Sequence, residues 1–432
     1  MRALIVIALT AFIVALPLAA QEQDTTEIAR LRRQIEAVTR ELERLSLGTE
    51  VAIPADTPMR GLGPAASKVY RSRGGASIAG YGEFVFDRFA ARRQDGSPSN
   101  LDNRLDALRA IVYLGYRFDD RFLFNSEIEF EHGSTDDGVG EVAVEFAYLE
   151  ARVSPALGFR GGLLLVPMGW INERHEPPTF FSVRRPETEQ RVLPSTWREN
   201  GLGVFGDVGP VTYRAYLLTG FDAVGDRGSV ASGFGAAGLR GGRQSGARAL
   251  AEDWAGVARV DLAAGRAITV GVSAYLGQAG QNATVPGGTL GARTFIGDGH
   301  AEFRSGGLWA RGVAALATVD QAAEINALKG LTGSASVGER LVGWYVEAGY
   351  DVLRHVRTGQ ALIPFVRYES LNTQDRVPAG FAADPANDLE VITLGGMWKP
   401  IPQVAVKADY QLRRNAARTG VDQLGVGLAY LF

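Results

Sequence analysis

Apolar and polar positions alternate with unusual regularity towards the end of the chain. Leu424, Val426, Leu428, Tyr430 and Phe432 fall on one face, and Gln423, Gly425, Gly427, Ala429 and Leu431 on the other. The same period recurs at Val404, Val406, Ala408 and Tyr410 against Ala405, Lys407, Asp409 and Gln411. It recurs again at Ile392, Leu394, Gly396 and Trp398 against Thr393, Gly395 and Met397. A two-residue period is the side-chain repeat of a β-strand. A half-buried strand in a soluble sandwich alternates in the same way, so the period alone does not choose between water and lipid. An aromatic last residue in phase with the apolar face favours a strand of an outer-membrane barrel. Tyr430 and Phe432 are therefore expected to act as an assembly signal.

Sixteen such segments can be laid out beyond Ala76, and their connections alternate in length. Asp119-Asp120, Gly209, Ala264-Gly265 and Pro400-Ile401 mark short turns, while the intervening connections are longer polar or glycine-rich loops. Transmembrane barrels join their strands in this way. Tyr116, Phe118, Phe122, Phe124, Trp398, Tyr430 and Phe432 collect beside the short turns, where an aromatic girdle belongs. The third segment places Phe122, Phe124, Ile128 and Phe130 outward and Asn125, Glu127, Glu129 and Glu131 inward. In the fourth, Val142, Val144, Phe146 and Tyr148 read as outward but run into Glu150 and Arg152, which requires an interfacial position or a bulge. The predicted fold is all-β, a 16-stranded antiparallel transmembrane β-barrel over residues 76–432, preceded by a short N-terminal coiled-coil helix.

Ahead of the barrel the period changes. Residues 1–20 carry Arg2, an apolar run and a closing Ala19-Ala20, the pattern of a signal peptide. Within residues 21–50, Ile28, Leu31, Ile35, Val38, Leu42 and Leu45 form an a/d heptad seam, which predicts a coiled-coil segment. Residues 51–75, with their prolines and glycines, read as a linker. Composition adds exclusions. The 432 residues include 54 glycines and no cysteine and carry a formal charge of −3, so neither disulfides nor thiolate chemistry are available. Near-neutral charge gives nucleic acid no hold. A mean hydropathy of −0.02 is what alternating lipid-facing and lumen-facing positions average to.

The longest structured loop follows the fifth strand. It reads Val166-Pro-Met-Gly-Trp-Ile-Asn-Glu-Arg-His-Glu-Pro-Pro-Thr-Phe-Phe181, then Arg184-Arg185, then Leu193-Pro-Ser-Thr-Trp-Arg-Glu-Asn-Gly201. With Trp344-Tyr-Val-Glu347, Pro364-Phe-Val-Arg-Tyr-Glu369 and Val406-Lys-Ala-Asp-Tyr-Gln411, it resembles porins of the phosphate-selective O and P type over nearly the whole barrel. The resemblance implies a homotrimer of 16-stranded barrels, with this third external loop folded inward to narrow each pore. Such a loop would bring Arg174, Arg184, Arg185, Arg191 and Arg198 to the constriction. The expected pore wall includes Arg109, Glu127, Glu129, Glu131, Arg259, Arg311, Glu347, Arg367 and Lys407. Over the whole inward face, Glu127, Glu129, Glu131, Glu141, Glu145, Asp261, Asp298, Glu302, Glu347, Asp351, Glu369 and Asp409 outnumber Arg109, Arg117, Arg214, Arg259, Arg311, Arg367 and Lys407, so it is no basic ladder, and a field across the eyelet is the expected device.

The expected function is an outer-membrane porin, a passive diffusion channel for small hydrophilic solutes, with anions such as phosphate among the candidates. Its partners would be outer-membrane lipid, two further copies and the barrel assembly machinery. No cofactor or metal is expected, although Glu173, His175 and Glu176 lie close in sequence. His132, His175, His300 and His355 show no catalytic spacing, so no enzyme is expected. A structural barrel tethered through its coiled coil, or an outer-membrane hydrolase, are the alternatives.

Overall fold

The computed structural model describes Arg30 and residues 59–432, apart from 136–138, 226 and 357–358. The signal-peptide and coiled-coil readings lie outside the described residues. Strands are β1 Gly75–Phe89, β2 Arg104–Arg117, β3 Phe122–Glu131, β4 Glu141–Ser154, β5 Leu157–Leu165, β6 Arg198–Val208, β7 Val211–Thr219, β8 Trp254–Ala264 and β9 Ile268–Gly277. After the small external hairpin of β10 Thr284–Val285 and β11 Gly288–Thr289 come β12 Thr294–Ser305, β13 Leu308–Val319, β14 Arg340–Tyr350, β15 Ala361–Arg376, β16 Asp388–Ile401, β17 Val404–Asn415 and β18 Gln423–Leu431. All but the hairpin join one closed barrel of sixteen antiparallel strands, each paired with its barrel neighbours in the chain, and β18 returns to β1.

Every predicted strand segment has an observed counterpart. The short turns fall where expected. At the β2–β3 turn the Asp119 carboxylate takes the N–H groups of Arg121 and Phe122, both at 2.7 Å, and these bonds hold its pKa below the usual range. No helix among the described residues is long and apolar enough to cross a membrane. The barrel instead presents an apolar outer face, with Phe122, Phe130, Leu394, Leu428 and Phe432 all exposed.

The fourth strand departs from simple alternation, as Glu150 and Arg152 required. Its pairing with β3 slips between Glu127 and Ile128, leaving Glu145 as the extra residue of a bulge. Val142 and Val144 stay outward, but beyond the bulge the phase reverses and Phe146, Tyr148 and Glu150 are buried in the lumen. The outward assignment of Phe146 and Tyr148 is thus corrected: one inserted residue exchanges the two faces of everything after it.

Closure depends on two glycines of β1. Gly82 pairs with Tyr430, and a Cβ at Gly82 would strike the Tyr430 ring; one at Gly80 would lie 2.7 Å from Phe432 Cζ. The Phe432 N–H and carbonyl bond to Gly80 at 2.9 and 3.1 Å. Gly82→Leu is expected to impair barrel formation at least as much as Phe432→Ser, read as the fraction of heat-modifiable protein on gels. Normal folding of both variants would show that this seam tolerates disruption.

Candidate functional site

The lumen is crossed by residues 166–197, which connect β5 to β6. Pro177 and Pro178 open a short 3-10 turn, and Glu187–Arg191 forms a single helical turn. Polar groups on opposite walls hold this loop. On one side, His175 Nε2 lies 3.0 Å from Glu127 on β3. On the other, the Val183 N–H donates to Asp409 and the Thr188 N–H to Glu369, each at 2.5 Å. The Tyr345 hydroxyl donates to Glu189 at 2.6 Å, and Lys407 Nζ donates to the carbonyls of Pro177 and Ser182 at 2.6 and 3.0 Å. Satisfied hydrogen bonds of this kind make a buried loop viable, since each orphaned group would cost about 1–3 kcal/mol.

Apolar pegs complete the seat. Phe181 is fully buried, edge-on to Trp309 at 4.3 Å and stacked on Phe365 at 5.4 Å. Val183 packs against the inward face of β18, where a Cβ at Gly425 or Gly427 would come within 3.2 or 3.4 Å of it. The small residues on the inner face of the last strand therefore have a physical reason: they make room for the loop.

The predicted arginines do not act as one set. Arg184 pairs with Asp87 on β1. Arg191 pairs with Glu187 at 2.8 Å, and Glu187 also receives Arg413 at 2.7 Å. Arg198 is the first residue of β6 rather than part of the loop, and it pairs with Glu145 at 2.6 Å. Arg174 lies over the Trp170 ring at 4.7 Å. Arg185 has no carboxylate partner among the described residues, and its Nη2 is buried without a hydrogen bond.

Arg185 has company that sequence reasoning missed. Arg240 and Arg243, from the loop between β7 and β8, line the same external cavity of about 420 Å³, and neither meets a carboxylate among the described residues. Arg243 Nε donates to the Arg240 carbonyl at 3.0 Å, and its Nη1 to the Thr196 carbonyl of the crossing loop. Burial, followed by repulsion from Arg240 and Arg198, brings Arg243 down to about 9; burial and Arg109 lower Arg185. Both stay cationic at neutral pH, so the repulsion persists until an anion enters. Glu131 and Glu141 line the same cavity. The only signal for the pair in the sequence is Arg240-Gly-Gly-Arg243, in a stretch otherwise rich in glycine and alanine.

Most of the remaining wall charges lie inward and are engaged in ion pairs or hubs. Arg109 lies 3.4 Å from Glu83 and 3.7 Å from Glu129. Arg311 and Arg367 both reach Glu347, the latter at 3.6 Å. Asp261 is a hub for Arg214 at 2.5 Å, Arg259 at 2.8 Å and His300 at 2.8 Å. The three neighbours considered for a metal are engaged elsewhere: Glu173 with Arg214 at 3.4 Å, His175 with Glu127, and Glu176 with the N–H groups of Ala65 and Ala66. Among the described residues no three potential ligands converge on one point.

A closed 16-stranded antiparallel barrel with a charged lumen and an inward-folded third loop defines the porin class of architecture. OmpF of Salmonella typhi, in complex with daunomycin, superposes with a TM-score of 0.55 at 14% identity, covering 84% of this chain and 99% of that one. An anion-selective porin from Comamonas acidovorans aligns over 83% of this chain and 99% of its own, at 13% identity and a TM-score of 0.48. At such identities the likeness is one of fold. No family model matches the chain. An uncharacterized protein of Aquifex aeolicus (strain VF5) is 39% identical over 372 residues, 84% of this chain and 82% of that protein, and the chain belongs to its family.

Proposed function

We propose that the protein is an outer-membrane porin of the phosphate-selective O and P type, a passive diffusion channel that admits small hydrophilic solutes and favours anions such as phosphate. It works as a homotrimer, exported by a signal peptide over residues 1–20 and inserted by the barrel assembly machinery, with residues 21–50 forming a coiled coil. The observation that carries the anion preference is the cluster of Arg185, Arg240 and Arg243 lining a cavity of about 420 Å³, without ion-pair partners among the described residues. Guanidinium groups bind phosphate and carboxylate oxygens through charge-assisted, often paired hydrogen bonds. With Glu131 and Glu141 in the same cavity, the field points across the passage and orients solutes as they enter.

Planar-bilayer recording tests this reading. Purified protein is expected to give discrete conductance steps, and a salt gradient a zero-current potential on the anion side. Phosphate added from the external side should reduce chloride current. Intact barrels that give no steps would favour the second reading, a structural barrel tethered through its coiled coil. One observation speaks for that alternative: much of the mid-lumen, including Glu127, Arg214, Arg311, Glu347 and Arg367, is buried.

A further inference from the structure

Part of that burial, at Arg214 beside Gly61, comes from a segment that composition alone presents as a tether. From Met59 on, the segment expected as a linker is folded into the lumen. Both ends sit at the turn end of the barrel. Arg60 reaches Asp207, beside the β6–β7 turn, at 3.4 Å, and the Ser72 carbonyl accepts from Arg117, beside the β2–β3 turn, at 2.8 Å. Between these points the chain dips inward. The N–H groups of Ala65 and Ala66 donate to the two oxygens of Glu176 in the crossing loop, at 3.1 and 2.9 Å. The Ala66 carbonyl accepts from Asn125 at 3.0 Å, and the Tyr70 hydroxyl donates to Glu150 at 2.8 Å. A Cβ at Gly115, on the barrel wall, would lie 2.7 Å from Val69 Cβ, so the wall is notched to receive this residue.

These contacts differ in kind from those that close the barrel. The segment joins no strand ladder; its regular structure is a four-residue 3-10 turn, Lys68–Arg71. Its polar bonds, each worth about 0.5–3 kcal/mol net, and the burial of Leu62, Val69 and Tyr70 hold it in place, but no backbone ladder ties it to the wall. Gly63 and Pro64 line a recess of about 60 Å³ together with Trp170, Arg174 and Trp309. With both ends at the same rim, the segment can withdraw without crossing the barrel.

We propose that residues 59–72 are a displaceable plug, which in its seat narrows the turn-end exit of the lumen and on withdrawal opens it. This rests on the channel reading above. The chain has no cysteine, so Val69→Cys with Gly115→Cys introduces the only thiols, at a Cβ separation within about 1 Å of that of a disulfide. In a bilayer, the oxidised double variant is expected to hold the small unitary current of the seated plug. Adding reductant to the same channels should raise the unitary current or the open fraction by about twofold or more, because conductance follows the open cross-section. Glu176→Ala, which removes the acceptor for both plug N–H groups, should raise it without any thiol. Equal currents before and after reduction, with disulfide formation verified on gels, would overturn the plug even if Glu176→Ala failed to fold. Absence of current from every form, with barrels intact, would overturn the channel reading and the plug together, a result distinct from a conducting channel indifferent to the lock.

Discussion

Alanine at Arg185, Arg240 and Arg243 together is expected to lower the anion-to-cation permeability ratio about tenfold and to abolish block by phosphate. At about 6 Å in a water-like dielectric, each lost positive charge removes about 0.7 kcal/mol of attraction for a monovalent anion. Two or three of them amount to about 1.4–2 kcal/mol, a factor of about ten or more. The zero-current potential in a salt gradient reads this directly. Glu131→Gln with Glu141→Gln should move it the other way, since those carboxylates line the same cavity. The cluster makes no ion pair among the described residues, so the triple variant should fold normally and its effect should shrink as salt rises. A potential unchanged in the triple variant would place the selecting charges elsewhere on the wall.

Asp261→Ala is expected to produce a large loss of stability from a single side chain. Asp261 is 7% exposed, neutralises Arg214 and Arg259, and lies 2.8 Å from His300 Nε2. Removing one partner of a buried ion pair leaves an uncompensated charge and costs about 3–5 kcal/mol. Here two guanidinium groups would face each other. Partial rescue comes from Glu173, 3.4 Å from Arg214, so the lower part of that range applies. Urea unfolding of the folded barrel in detergent should show the midpoint fall, and Asp261→Asn, which retains an acceptor, should lie between variant and wild type. An unshifted midpoint for Asp261→Ala would mean that water already solvates this hub.

Strand identity was legible because it is a local property written in the period of the chain. The outward faces of β3, β16, β17 and β18 were readable residue by residue, since lipid tolerates charges so poorly that each strand must alternate cleanly. The inward placement of Arg109, Glu127, Arg259, Glu347, Arg367 and Lys407 follows from the same phase. At β4 the local signal conflicted with itself: Phe146 and Tyr148 looked lipid-facing, while Glu150 and Arg152 continued their phase. A bulge at Glu145 resolved it, and the register slip against β3 is visible only once the two strands are paired. Residues 59–72 carried an overlooked signal, as Leu62, Ala65, Ala66, Val69 and Tyr70 recur at helical spacing. Prolines and glycines around them read as a tether because composition does not disclose what a short segment packs against.

Periodicity and turn chemistry along the chain were thus sufficient for sixteen strands, their order and, outside β4, the side most strand residues face, because these depend on a few neighbouring positions and on the lipid outside. Which charges meet inside the barrel was decided by how the strands pair and by the segments inserted into the lumen. Asp261 collects partners from β7, β8 and β12. Arg185 is joined by Arg240 and Arg243 from a different loop. Glu176 caps a segment more than a hundred residues before it in the chain. Contacts at such separations depend on the barrel's circumference and on how two inserted segments share its lumen, and neither quantity is carried by any local stretch of residues.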